Sequence, residues 1–184
     1  MTLLHSFDPA TPFGMYIHVP FCASRCGYCD FNTYTPGELG SSASPESYLL
    51  ALAQELEMQA RLRAEQGDRR QASTVFIGGG TPSMLGATGL ARILKLIRET
   101  TGITPGAEIT TESNPESTSP EFFAELLAAG YTRISLGMQS ASASVLKVLE
   151  RAHTPGRAFA AAKEAWAAGF THVNLDMIYG TPTE

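Results

Sequence analysis

Two stretches of this chain repeat each other. Ala128-Ala129-Gly130-Tyr131-Thr132-Arg133-Ile134-Ser135-Leu136 returns 39 residues later as Ala167-Ala168-Gly169-Phe170-Thr171-His172-Val173-Asn174-Leu175. Each copy reads as the end of a helix, a glycine C-cap and a buried strand. The offset leaves room for one strand–helix unit with an extra turn. A chain of such units folds into a parallel sheet covered by helices. Right-handed crossovers then wind the sheet into an open sheet or a barrel.

The rest of the chain fits that plan. Met15 to Val19 reads as a strand stopped by Pro20, and Thr74 to Ile77 as a second, ended by Gly78-Gly79-Gly80-Thr81-Pro82. Glu108 to Ser113 reads as a third, ended by Asn114-Pro115. Gly37 to Ser44 is a glycine- and serine-rich loop; Ser44-Pro45 then supplies an N-cap and a first helical residue. Leu49, Leu52, Ala53, Leu56 and Ala60 recur on one helical face. Leu90, Ile93, Leu94 and Ile97 mark the next helix, and Ser119-Pro120 opens another bearing Phe122, Phe123, Leu126 and Leu127.

Five strand ends are followed by chemically equipped residues: a cysteine loop, the triple glycine, Glu112, Gln139 and Asp176. In an α/β barrel all five face one mouth, whereas a doubly wound sheet uses only the ends at its switch point. The pattern therefore favours the barrel. Residues 1–14 read as an N-terminal leader and 15–184 as one core domain, incomplete at its C-terminal end because no sixth strand follows the fifth. We expect the N-terminal part of a longer protein.

All three cysteines fall in Cys22-Ala23-Ser24-Arg25-Cys26-Gly27-Tyr28-Cys29, a C-x3-C-x2-C pattern. So tight and odd a group is a poor disulfide framework and suggests a metal site. Three thiolates can hold three irons of a [4Fe-4S] cubane and leave the fourth open. The competing reading is a structural zinc, which would need a fourth ligand from His18 or Asp30. Read alone, the other candidates are weaker. Glycine turns are common, and Glu112 could be a solvated loop carboxylate. Arg151, near the end of a short helix, could be a surface charge. His153 is unremarkable, and His18 alternates with Ile17 and Val19 as a satisfied strand histidine would.

A net charge of −5 excludes a broad nucleic-acid surface. No apolar run reaches the ~20 residues of a membrane helix, and Met1 to Phe13 lacks the pattern of a secretory signal. A cytoplasmic protein is expected.

The cysteine spacing, with aromatic Tyr28 before Cys29, resembles the radical S-adenosylmethionine (SAM) superfamily. The resemblance implies a (β/α)6 TIM-like partial barrel, here truncated after the fifth strand, with SAM bound to the open iron and cleaved reductively. A closer resemblance rests on Tyr16-Ile17-His18-Val19-Pro20-Phe21-Cys22, Tyr28-Cys29-Asp30-Phe31 and Phe76-Ile77-Gly78-Gly79-Gly80-Thr81-Pro82. Glu112-Ser113-Asn114-Pro115, Ser135 to Ser140 and Asn174 to Gly180 extend it to the end of the chain. These stretches are similar to the branch holding oxygen-independent coproporphyrinogen III oxidase and the HemW-type heme chaperones. The resemblance implies that Cys22, Cys26 and Cys29 ligate the cluster, that Tyr16 and Gly79 contact the cluster-bound SAM, and that Glu112 holds its ribose. It implies a second SAM site at Tyr28, Gly80, Thr81, Gln139, Arg151 and Asp176.

The oxidase carries a further cysteine two residues after the third, where this chain has Phe31, and a longer leader. Both departures point to the heme chaperone, whose His-Asn-x-x-Tyr heme motif is absent from this stretch. The implied function is binding heme as cargo and handing it to an acceptor protein, with an electron donor for the cluster. The alternative is the oxidase, which decarboxylates coproporphyrinogen III to protoporphyrinogen IX with SAM.

Overall fold

The computed structural model describes residues 8, 10–38, 40 and 44–182. Five strands form one sheet: β1 (Gly14–Val19), β2 (Ala72–Gly79), β3 (Ile103–Ser113), β4 (Arg133–Gln139) and β5 (His172–Met177). Every neighbouring pair is parallel and the order is β1-β2-β3-β4-β5. An order that never reverses has no switch point, so right-handed crossovers place every helix on the same face. Five such units build part of a barrel wall rather than a doubly wound sheet.

The helices are α1 (Pro45–Glu65), α2 (Gly86–Thr100), α3 (Pro120–Ala129), α4 (Ala143–Val148) and α5 (Arg157–Ala168). Ser44 caps α1 in a reciprocal box with Ser47. Ser119 caps α3 by accepting from the Phe122 amide. Both repeat glycines, Gly130 and Gly169, end their helices in the left-handed conformation. The extra turn anticipated between β4 and β5 is α4. None of the helices is long and apolar enough to cross a membrane among the described residues.

Strand alternation decides what is buried. Ile17, Val19, Val75, Ile77, Ile109, Ile134 and Leu136 face the helices and are buried against Leu52, Leu90, Ile93, Ile97, Phe123 and Leu126. Full burial of each such side chain contributes about 1.5–3 kcal/mol. The repeat's aromatic positions, Tyr131 and Phe170, both sink into this layer. The Tyr131 hydroxyl is satisfied there by donating to the Leu90 carbonyl at 2.9 Å.

Strand β3 starts earlier than its sequence suggests. Ile103 already pairs with Ala72, and the register then slips before Thr74 meets Glu108. Pro105 and Gly106 sit in this slip. A proline reads as a strand breaker, yet it is tolerated where a bulge interrupts the ladder.

A knot of charge that the sequence did not announce closes the turn between α1 and β2. Asp68 accepts from Arg63 Nε at 3.0 Å and from Arg70 Nε at 2.9 Å. The Arg63 guanidinium lies 3.9 Å from the centre of the Phe13 ring, tying the start of β1 to the same turn. Hydrogen bonds from Arg70 and Arg63 hold the Asp68 carboxyl well below the usual carboxylate range. A depressed folded-state value adds stability above the unfolded pKa, and that stability is lost as pH falls through the folded value. Asp68→Ala is expected to destabilise the full-length protein by about 1.5–3 kcal/mol at neutral pH, the range for hydrogen bonds to a charged group. The difference from the parent protein should shrink in acid. Equal denaturation midpoints at pH 7 would contradict this.

Candidate functional site

Residues that alternate away from the core line the concave face of the sheet. They include Tyr16 and His18 on β1, Phe76 and Gly78 on β2, and Thr110 and Glu112 on β3. Ser135 and Gly137 on β4 and Asn174 and Asp176 on β5 complete the row. At its C-terminal end lies one cavity lined by Cys22, Cys26, Cys29, Tyr28, Gly79, Gly80, Thr81, Glu112, Gln139, Arg151 and Asp176. Eleven of the twelve candidate positions therefore meet in one place. Tyr16 stands apart from the cavity wall. It is 56% exposed, its ring stacks on Phe76, and its hydroxyl lies 3.0 Å from His18 Nδ1. Burial, then the Glu112 charge, pushes the Tyr16 hydroxyl pKa up.

The cysteine loop is closed at its base by backbone bonds. The Tyr34 amide donates to the Pro20 carbonyl at 2.8 Å and the Cys22 amide to the Tyr34 carbonyl at 3.0 Å. The Thr81 amide donates to the Phe21 carbonyl at 2.6 Å, fixing the glycine turn against the loop. A Cβ on Gly80 would lie 2.5 Å from the Phe21 oxygen and 3.0 Å from Cys22 Sγ. Gly79 has a φ of 113°, and a Cβ there would lie 2.6 Å from His18 Nδ1. The turn thus needs glycine to approach the loop this closely.

On the opposite side Gly27 donates to the Leu149 carbonyl at 3.3 Å. Glu150 has a φ of 52°, and this turn carries the chain from α4 into the cavity. Arg151 is therefore not a helix-end surface charge. Its guanidinium donates to Cys26 Sγ at 3.3 Å, the Gly137 carbonyl at 3.2 Å and His153 Nε2 at 2.8 Å. The Tyr28 hydroxyl, 3.5 Å from Arg151, is pushed up to about 12, chiefly by burial, with Arg151 opposing.

Glu112 accepts the Gly79 amide through Oε2 at 3.1 Å. Burial pushes its pKa up; the Gly79 amide and His18 oppose that shift and the Asp176 charge adds to it. Asp176 accepts from Ser135 and Asn174. Gln139 closes β4 with a φ of 65°, at the point where the β4–β5 register slips. Thr81 Oγ1 lies 3.8 Å from Cys22 Sγ. Arg25, Thr33, Asn114 and Phe31 also line the cavity. Arg25 donates to the Thr33 carbonyl at 2.7 Å, a lining role that no sequence pattern marked.

The donor set fits an iron–sulfur cubane better than a zinc ion. A cubane takes its thiolates on three separate irons. Of the two candidates for a zinc's fourth ligand, one is spoken for and the other misplaced. His18 is engaged through both ring nitrogens, by Tyr16 and by the Asn32 carbonyl, and Asp30 is not on the cavity wall.

The chain is similar to known proteins in sequence and in fold. It is 60% identical over 176 residues to a heme chaperone HemW of Mycobacterium tuberculosis, covering 96% of this chain and 44% of the relative. It is 33% identical over 176 residues to the oxygen-independent coproporphyrinogen III oxidase of Escherichia coli, covering 96% and 37% respectively. The chain thus spans less than half the length of these relatives. Among solved structures, the Escherichia coli coproporphyrinogen III oxidase, described as a radical SAM enzyme, superposes with a TM-score of 0.84 at 32% identity. That match covers 98% of this chain and 40% of the oxidase. The model of the radical SAM superfamily matches residues 16–184. Sheet order, cysteine loop and family match agree: the chain belongs to the radical SAM superfamily.

Proposed function

We propose that this chain is the cluster- and SAM-binding part of a heme chaperone, a protein that binds heme and passes it to an acceptor protein. The observation that carries the cofactor reading is the single cavity in which three cysteine thiols face a glycine turn and Glu112. Cys22, Cys26 and Cys29 would hold three irons of a [4Fe-4S] cluster. When bound and reduced by an external donor, that cluster supplies an electron and an open iron position for SAM. Tyr16 and the Gly79 backbone would contact the cluster-bound SAM, and Glu112 would accept its ribose hydroxyls. Tyr28, Gly80, Thr81, Gln139, Arg151 and Asp176 would form the wall for a second SAM.

The chaperone reading is supported by Phe31 and by the 60% identity to a protein named as a heme chaperone. Phe31 is 64% exposed and lies on the cavity wall. It replaces a polar thiol with a bulky ring beside the second SAM position. A site that must align a cofactor and substrate loses rate steeply on a shift of about 1 Å. The full-length protein is therefore expected to bind heme stoichiometrically and to make no protoporphyrinogen IX. Anaerobic turnover with SAM, reductant and coproporphyrinogen III, with the porphyrins separated afterwards, reads this out beside a heme titration. Repeated turnover to the divinyl product would establish the oxidase instead.

A further inference from the structure

The concave face holds a hydrogen-bonded trio, Ser135, Asn174 and Asp176, of which the cofactor reading uses only Asp176. Ser135 and Asn174 are register partners on β4 and β5, and Gly137 is the partner of Asp176. Strand alternation puts Asn174 and Asp176 on the same face as Ser135. The Ser135 hydroxyl donates to Asp176 Oδ1 at 3.0 Å and Oδ2 at 3.1 Å, sharing one proton between them. Asn174 Nδ2 donates to Asp176 Oδ1 at 2.7 Å and to Ser135 Oγ at 3.0 Å. The donor count closes: the serine uses its one proton, and the amide uses both of its own. The amide orientation is fixed too, because a flipped Asn174 would turn its oxygen on the carboxylate.

We propose that Ser135 and Asn174 are positioning residues that hold Asp176 ready for its ligand. This rests on the reading of Asp176 as a SAM contact. Oδ1 takes the amide and half of the serine proton, while Oδ2 takes only the other half. Oδ2 thus keeps lone pairs for a ligand donor such as a ribose hydroxyl or an ammonium group. Gly137, opposite Asp176, adds no side chain to crowd it, and a Cβ there would meet Arg151 at 2.8 Å. The Asp176 carboxylate raises the pKa of Glu112, so two carboxylates share this mouth. Ser135 is itself 5% exposed. Its hydroxyl has no solvent role to play.

The test is a double-mutant cycle in the full-length, cluster-loaded protein, with SAM as the probe in equilibrium dialysis. Ser135→Ala, Asp176→Ala and the double variant are compared, with iron content and unfolding temperature followed in each. Ser135→Cys keeps the shape with a weaker donor and serves if the alanine variant folds poorly. We expect Ser135→Ala to weaken SAM binding about five- to twenty-fold with iron content unchanged. The double variant should bind no more weakly than Asp176→Ala alone, because the serine acts only through the aspartate. Asn174→Ala should behave as Ser135→Ala does. If Asp176→Ala weakens binding but Ser135→Ala does not, or if the two effects add, the positioning role is wrong. Unchanged affinity in Asp176→Ala overturns it too, and in that case the reading of Asp176 as a ligand contact falls with it.

Discussion

Replacing any one of Cys22, Cys26 and Cys29 by alanine is expected to abolish cluster assembly in the full-length protein while leaving the fold intact. The two halves of that expectation have separate physical grounds. The three thiols are free and only partly buried, so none contributes to the core. The loop is held instead by the backbone bonds of Pro20, Cys22 and Tyr34 and by the glycine turn. A cubane held by three thiolates has no spare protein ligand, so losing one leaves a second iron without protein ligation. Anaerobic reconstitution should load about four irons per chain in the parent protein, following that ligation. It should give no stable cluster in each variant, with unchanged far-ultraviolet circular dichroism. Cys26→Ala adds a detail, since Arg151 donates to that sulfur and would lose the partner. Four irons retained in any single variant would mean that another residue ligates the cluster.

The second large effect concerns Glu112. Glu112→Ala is expected to weaken SAM binding about ten- to a hundred-fold without removing the cluster. A charge-assisted hydrogen bond contributes about 1.5–3 kcal/mol, and each 1.4 kcal/mol is about tenfold in affinity. Alanine also strips the acceptor from the Gly79 amide, so the glycine turn loses a restraint. Glu112→Gln separates the two contributions, because it keeps an acceptor for that amide and removes only the charge. The pH dependence follows from the raised pKa of Glu112. In the proposed site the carboxylate form would accept the ribose hydroxyls, so SAM affinity should fall as pH drops through that raised value. The fall should begin at a higher pH than for an ordinary glutamate, and Glu112→Gln should abolish it. Equal affinity in the parent and alanine variants would place Glu112 outside the SAM site.

The fold was legible because it is periodic. The repeat around Gly130 and Gly169 announced two helix-to-strand units, and alternation within Ile134-Ser135-Leu136 told which side chains meet the helices. The cysteine spacing and the glycine turn carried most of the site for a similar reason, since each is a local pattern with a local cause. What stayed hidden was long-range. Asp68, Arg63 and Phe13 come together only after α1 has returned the chain to β1, and nothing in their spacing marks it. Read alone, Arg151 is no more than a possible helix-end charge, and only the turn at Glu150 aims it at Cys26. Ser135 and Asn174 sit in stretches whose alternation was visible, but their joint hold on Asp176 depends on the β4–β5 register. Tyr16 shows the opposite case, a motif residue on the correct face that the cavity wall does not include.

The central claim is that one cavity holds a cluster with an open iron and places SAM against it. The most direct measurement is electron paramagnetic resonance of the reduced, reconstituted full-length protein, before and after SAM is added, with metal content determined on the same sample. The account predicts iron without stoichiometric zinc, and a cluster signal that shifts on SAM addition in the parent protein but needs more SAM to shift in Glu112→Ala. Stoichiometric zinc, or a cluster signal indifferent to SAM, would contradict it.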